Sequence, residues 1–167
     1  MQITNISDFL HYYSRIKQRT IRLFDYIPED KLEWTYRAGK FTMGDLIRHN
    51  ACIERFMYAE TVQGKPSRYA GCGESYAKGK EATIAFYQNM YAESEAIFAK
   101  LSPEALQQKC LTPAGTPITT WKWLRAMVEH EIHHRGQLYM YLGMLDITTP
   151  PIFGLTSEEV AEKSKIE

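Results

Sequence analysis

The sequence has no excess charge of either sign: 20 basic and 20 acidic side chains cancel among 167 residues. That removes the overall field by which nucleic-acid-binding proteins and proteins of acidic membrane surfaces gather their partners. Cysteine is scarce. Cys52, Cys72 and Cys110 are an odd, widely spaced set, which argues against a disulfide framework and fits a reducing cytoplasm. No run approaches the ~20 apolar residues that cross a bilayer. The first residues lack the basic stretch and unbroken apolar run of a secretory signal. Alternating Val/Ile/Thr-rich runs, the mark of strands, are missing too. There is no internal repeat and no low-complexity tract, so residues 1–167 read as one domain.

What is present is helical. Hydrophobic residues make up 44% of the chain, with 11 tyrosines and 3 tryptophans; in a helical protein these fill the gaps between helices. A first helix is expected over residues 7–27, with Ser7 as N-cap, Phe9, Tyr13, Ile16, Thr20, Leu23 and Phe24 at helical spacing, and Pro28 as its stop. A second starts at Thr42, where Asp45 three residues on resembles a capping box. It runs to Gly64 with a buried stripe of Leu46, Ile53, Phe56 and Met57. A third spans residues 74–101 and a fourth follows Thr119 or Thr120 to about Leu145. The segment Cys110 to Thr120 reads as a loop, and the tail as a short helix capped by Thr156 or Ser157. Long helices with connectors of this size predict an all-α four-helix bundle.

Three of the five histidines fall in the last long helix: His130, His133 and His134. At ~100° per residue, His130 and His134 lie one above the other, on the stripe that carries Trp123, Met127, Gln137 and Tyr141. His133 lies to one side; it can replace one member, but the i, i+4 pair is the better chelate. His49 sits among Leu46, Ile53 and Phe56 on the second helix. Buried imidazoles without partners are costly. A divalent cation satisfies three at once, and three protein ligands leave positions open for water or substrate. Cys52, near His49 on its helix, reads either as a fourth, closing ligand or as a small buried hydrophobe.

Residues 130–134 also spell H-E-x-x-H, the zinc-peptidase spacing in which a glutamate is the general base. The extended pattern fails, because Gln137 stands where glycine is required and Met140 where histidine is required. Glu158 or Glu159 remains as a distant third ligand, but no substrate-aligning sheet is expected. Two readings of Glu131 stand: a catalytic carboxylate that polarises a metal-bound water, or a solvated charge beside Arg135.

The segment His130-x-x-His133-His134-Arg135-Gly136-Gln137-Leu138 resembles the last-helix signature of the DinB/YfiT-like superfamily. Trp34, Phe41-Thr42-Met43, Leu46-Ile47-Arg48-His49 and the Pro150–Gly154 tail resemble its other marks, so the likeness spans nearly the whole chain. It implies a four-helix bundle with a three-histidine site for zinc or nickel, the ligands falling on His49, His130 and His134. It implies a homodimer, and chemistry on small molecules: S-transfer or isomerisation with low-molecular-weight thiols such as bacillithiol or mycothiol. The expected function is therefore a metal-dependent enzyme, a thiol-dependent S-transferase or a hydrolase. A non-catalytic metal-binding or stress-associated bundle is the alternative, and a zincin-like peptidase the remote one. The loops at residues 68–73 and 112–119 are expected at the mouth of the pocket. Arg135, Gln137 and Tyr141 either orient substrate or pack and hydrogen-bond around the site.

Overall fold

The computed structural model describes residues 2–165. Asn5 opens α1 (Ile6–Phe24); its side chain accepts from the backbone N–H of Ser7 at 2.8 Å and of Asp8 at 3.3 Å. Asn5, and not Ser7, is therefore the cap, because its longer side chain reaches the free amides of the first turn. The capping box expected at Thr42 and Asp45 starts α2 (Met43–Ile53). α2 does not continue as a regular helix. A π turn at Glu54–Tyr58 follows, then a last turn, α3 (Ala59–Thr61). The wider π turn rotates the helix phase, so Glu54 and Tyr58 are buried while Ile53, Phe56 and Met57 are only half-buried. A constant 3.6-residue period could not place them.

The third helix is shorter than expected: α4 covers Lys80–Phe98 and starts after Gly79, whose φ of 80° breaks the helix before it. A short α5 (Pro103–Gln107) leads into a feature that the sequence concealed, an antiparallel hairpin of β1 (Lys109–Leu111) and β2 (Pro117–Thr119). Three-residue strands are too short to show a two-residue period. Thr120 then opens α6 (Thr120–Met144), and its N–H and hydroxyl both donate to the Gln108 carbonyl. Thr156 caps the exposed α7 (Ser157–Lys163) with a capping box to Glu159. No helix among the described residues is long and apolar enough to cross a membrane.

α1 and α2 each pack against α4 and α6, so they face each other across a diagonal. One apolar core joins the C-terminal parts of α1 and α6 (Leu23, Phe24, Leu138, Leu142) to the N-terminal parts of α2 and α4 (Leu46, Ile47, Tyr87). A second joins the opposite ends through Phe9, Ile16, Tyr58, Phe98 and Leu124. The helices α1 and α6 thus run one way, and α2 and α4 the other.

Between the two cores lies a polar belt. Lys17 on α1 reaches Glu54 at 2.5 Å and Glu131 at 3.0 Å, all three buried. Tyr13 donates to Glu54 at 2.5 Å and Tyr87 to Glu131 at 2.7 Å, and the Lys17 ammonium lies 4.3 Å from the Tyr87 ring centre. Burial works against the Lys17 charge, but Glu131 and Glu54 outweigh it and hold its pKa above the ordinary lysine value. Burial also works to raise Glu131. Lys17 and the hydroxyls of Thr20 and Tyr87 prevail, and its carboxyl stays below its usual range. Burial lifts Glu54 above its ordinary value despite Lys17.

The connector from α1 to α2 is tied down by Arg48, which is fully buried and makes a two-pronged pair with Glu33 at 2.8 and 2.9 Å. Arg48 also binds Asp45 and the Cys72 carbonyl. Gly44 permits this arrangement: a Cβ there would stand 2.5 Å from a Glu33 carboxylate oxygen and 2.9 Å from an Arg48 nitrogen. Gly44→Ala is expected to cost about 1–3 kcal/mol by forcing that pair aside. The drop in Cm at unchanged m-value in urea unfolding measures it.

Candidate metal centre

His49 reaches the belt from α2, and His130 and His134 reach it from successive turns of α6. Their Nε2 atoms converge: His49 to His130 at 3.0 Å, and His130 to His134 at 3.1 Å. All three ligand atoms lie within 4.8 Å of one another. Two nitrogens bound at about 2.1 Å to one ion, at angles of roughly 90–110°, stand about 3.0–3.4 Å apart. The His49–His130 and His130–His134 spacings match that range, so the three nitrogens could hold a divalent ion.

Two of the three far nitrogens are held. His134 Nδ1 bonds Gln137 Oε1 at 2.7 Å; an amide oxygen only accepts, so the proton is on Nδ1 and the Nε2 lone pair faces the cluster. His49 Nδ1 bonds the Tyr69 hydroxyl at 2.8 Å. Gln137→Leu is expected to weaken metal binding 10–100-fold by freeing the ring of His134. Competition with a chromophoric chelator reads that change directly.

Electrostatics favour the neutral rings that a metal requires. Burial, with His134 beside it, pushes His49 down to about 4. Burial and the neighbouring rings, His134 first, push His130 down to about 3. His134 is also lowered, chiefly by burial. Below pH ~6.5 the unfolded chain takes up protons that the folded cluster refuses. Metal-free protein is therefore expected to keep its full stability above about pH 7. It should lose stability as pH falls towards 4, by about 1.4 kcal/mol per pH unit for each proton taken up. Urea unfolding at pH 7.5, 6 and 5 checks this, and a His130→Gln variant should show a shallower decline.

The other candidates fall elsewhere. His133 is exposed, with its ring centre 5.0 Å from that of His134, and is not part of the cluster. Glu131 is only 2% exposed, so it is not a solvated charge. Its two oxygens bind Lys17 and Tyr87 rather than any histidine. Arg135 is buried as well and donates to the Ile16 carbonyl. Of the H-E-x-x-H pattern, the two histidines converge but the glutamate is held in the belt. Glu158 and Glu159 lie on exposed α7, outside the cluster. Cys52 is buried, its thiol is pushed up to about 12 mainly by burial, and it is not in the cluster. It behaves as a small hydrophobe.

Two clefts flank the site. One, of about 780 Å³, is lined by His133, His134, Gln137 and Met140 of α6 and by Lys40 and Phe41 of the connector. Gly39, at φ 78°, turns the connector there, and the Phe41 ring centre comes 5.1 Å from that of His49. Tyr141 secures this wall by donating to the Phe41 carbonyl at 3.1 Å. The other cleft, of about 700 Å³, joins the two loops expected at the mouth: Tyr69 and Ser67 line it with Thr112 and Gly115. Tyr69 was not legible as a site residue, because a lone tyrosine in a Gly/Pro-rich loop has no periodicity. Lys17 had a signal, whereas the burial of Glu54 came from the π turn. Lys17 falls on the Tyr13–Thr20 stripe, where a charge needs a buried partner.

Comparison with known proteins agrees with the fold. A Bacillus subtilis (strain 168) protein, the uncharacterized protein YrdA, is 20% identical over 160 residues, 94% of this chain and 93% of its own. The crystal structure of a dinb-like protein from Bacillus cereus ATCC 10987 superposes with a TM-score of 0.74 at 16% identity, over 89% of this chain and 97% of that one. The mycothiol-dependent maleylpyruvate isomerase superposes with a TM-score of 0.63 at 15% identity, over 80% of this chain and 60% of the isomerase. These likenesses speak for the fold. The DinB superfamily pattern itself matches residues 12–138, from α1 through all three histidines, and with the all-α bundle observed here it establishes that the chain belongs to the DinB superfamily.

Proposed function

We propose that the protein is a metal-dependent enzyme acting on a small molecule, using a low-molecular-weight thiol for S-transfer or, failing a thiol, water for hydrolysis. The observation that carries this reading is the triad itself: three neutral imidazoles converge, and no fourth protein ligand joins them among the described residues. Three protein ligands with an open position are the catalytic kind of site. The name of the mycothiol-dependent isomerase supports the thiol.

Zinc or nickel bound here would act as a Lewis acid and lower the pKa of a thiol or water brought to its open side. The chain's own part is positioning. Gln137 and Tyr69 hold two of the rings, and burial keeps all three unprotonated. The Phe41 ring packs against the His49 ring. Glu131 keeps α6 in register through Lys17 rather than handling a proton at the site.

The test is consumption of a bimane electrophile with cysteine, glutathione, bacillithiol or mycothiol as the thiol. Turnover should depend on one of these thiols, vanish after dialysis against a chelator and return with zinc or nickel. Turnover that survives both chelation and His134→Ala would refute the proposal.

A further inference from the structure

The cleft beside His134 has one long apolar wall. Along α6, Gln137, Met140 and Met144 follow His133 at helical spacing. From His133 to Met144 is eleven residues, about 16 Å of helix. Met140 is 62% exposed and Met144 52%, and Tyr36 and Phe41 are exposed on the facing connector. Single exposed apolar residues mean little. Four of them gathered on one concave surface beside a polar centre mark a ligand groove. Methionine suits such a wall because its flexible thioether follows different apolar shapes.

The rim at the histidine end carries a positive charge. Lys40 lines it, with no ion-pair partner among the described residues, and the exposed His133 ring beside it offers a hydrogen bond. The cleft volume of about 780 Å³ lies within the range of small-molecule sites.

We propose that this cleft selects the substrate of the histidine site: a small carboxylate with an extended apolar tail, its head towards Lys40 and His133 and its tail along Met140 and Met144. The proposal rests on the enzyme reading above and adds to it the class of substrate. Tail burial makes affinity depend on chain length, and the rim makes it depend on the negative head. A metal site alone predicts the second dependence but not the first.

The experiment is isothermal titration of straight-chain carboxylates, from butanoate to decanoate, and of the matching alcohols. It uses the zinc-loaded and the metal-free protein. Affinity should rise with each methylene, by up to about fourfold, the equivalent of about 0.8 kcal/mol. Met140→Glu and Met144→Glu, both at exposed positions that the fold does not need, should flatten the series. Lys40→Glu should weaken every carboxylate by the same factor and leave the alcohols unchanged. The proposal falls if affinity is independent of chain length, if both methionine variants keep the wild-type slope, or if the alcohols bind as tightly as the acids. It falls too if Met144→Glu changes the sedimentation of the protein but not the slope, since the face would then lie between copies of the chain. Failure of the enzyme reading looks different: the thiol assay is silent while the chain-length slope persists with and without zinc.

Discussion

Lys17→Met is expected to destabilise the protein by about 3–5 kcal/mol, the effect of breaking a buried ion pair by removing one partner. The ammonium lies between Glu54 and Glu131 with all three side chains shut off from water. Without it, the Glu131 carboxylate keeps only hydroxyl donors, and one oxygen of Glu54 already has no hydrogen-bond partner. For a chain of this size, each kcal/mol moves Tm by roughly 2–4 °C, so Tm should fall by about 6–20 °C. The double variant Lys17→Met/Glu131→Gln should recover a large part of the loss, because it removes the uncompensated charge and not only its partner. A Tm within 2 °C of the native value in the single variant would show that the belt is not an ionic unit.

Metal loading should shift stability as far in the other direction. A ligand that binds only the folded state at a thousand times its Kd stabilises by about 4.1 kcal/mol, or roughly 8–16 °C in Tm here. The converged Nε2 atoms exist only when α2 and α6 are packed together, so the unfolded chain offers no equivalent site. Thermal melts with added zinc or nickel should show the rise, and a chelator should reverse it. His134→Ala should abolish it, since it leaves two ligands. An equal rise in that variant would place the ion elsewhere.

The two predictions concern neighbouring parts of one belt. The apolar cores at either end hold the helices together, but apolar contacts alone tolerate sliding and rotation. Charged and metal-ligating groups do not, because a shift of even one residue leaves a charge or a ring nitrogen unpartnered in a dry interior. The Lys17 network thus pins α1 to α2 and α6 at the level where the histidines must meet.

Much of this was legible along the chain. Helical spacing placed His130 and His134 on one inward stripe, and Thr42 with Asp45 marked the start of α2. Those signals are local: a helix repeats every 3.6 residues, and a cap acts within one turn. The all-α class followed from the same local rules, and the HHRGQ segment pointed to the superfamily. Packing decided what local rules cannot reach. Whether His49 met the other two depended on the π turn, the parallel pairing of α2 with α4, and the connector clamped by Arg48. Glu131 was open between two roles because its neighbours in sequence do not include Lys17, 114 residues away. The sequence by itself determined the helical class, the capping box that starts α2 and the stacking of His130 on His134, because each is set by side chains a turn apart. Only the tertiary structure decided the approach of His49 to that pair, the burial of Glu131 and the cleft beside His134, because each is made by groups that meet only when distant segments pack.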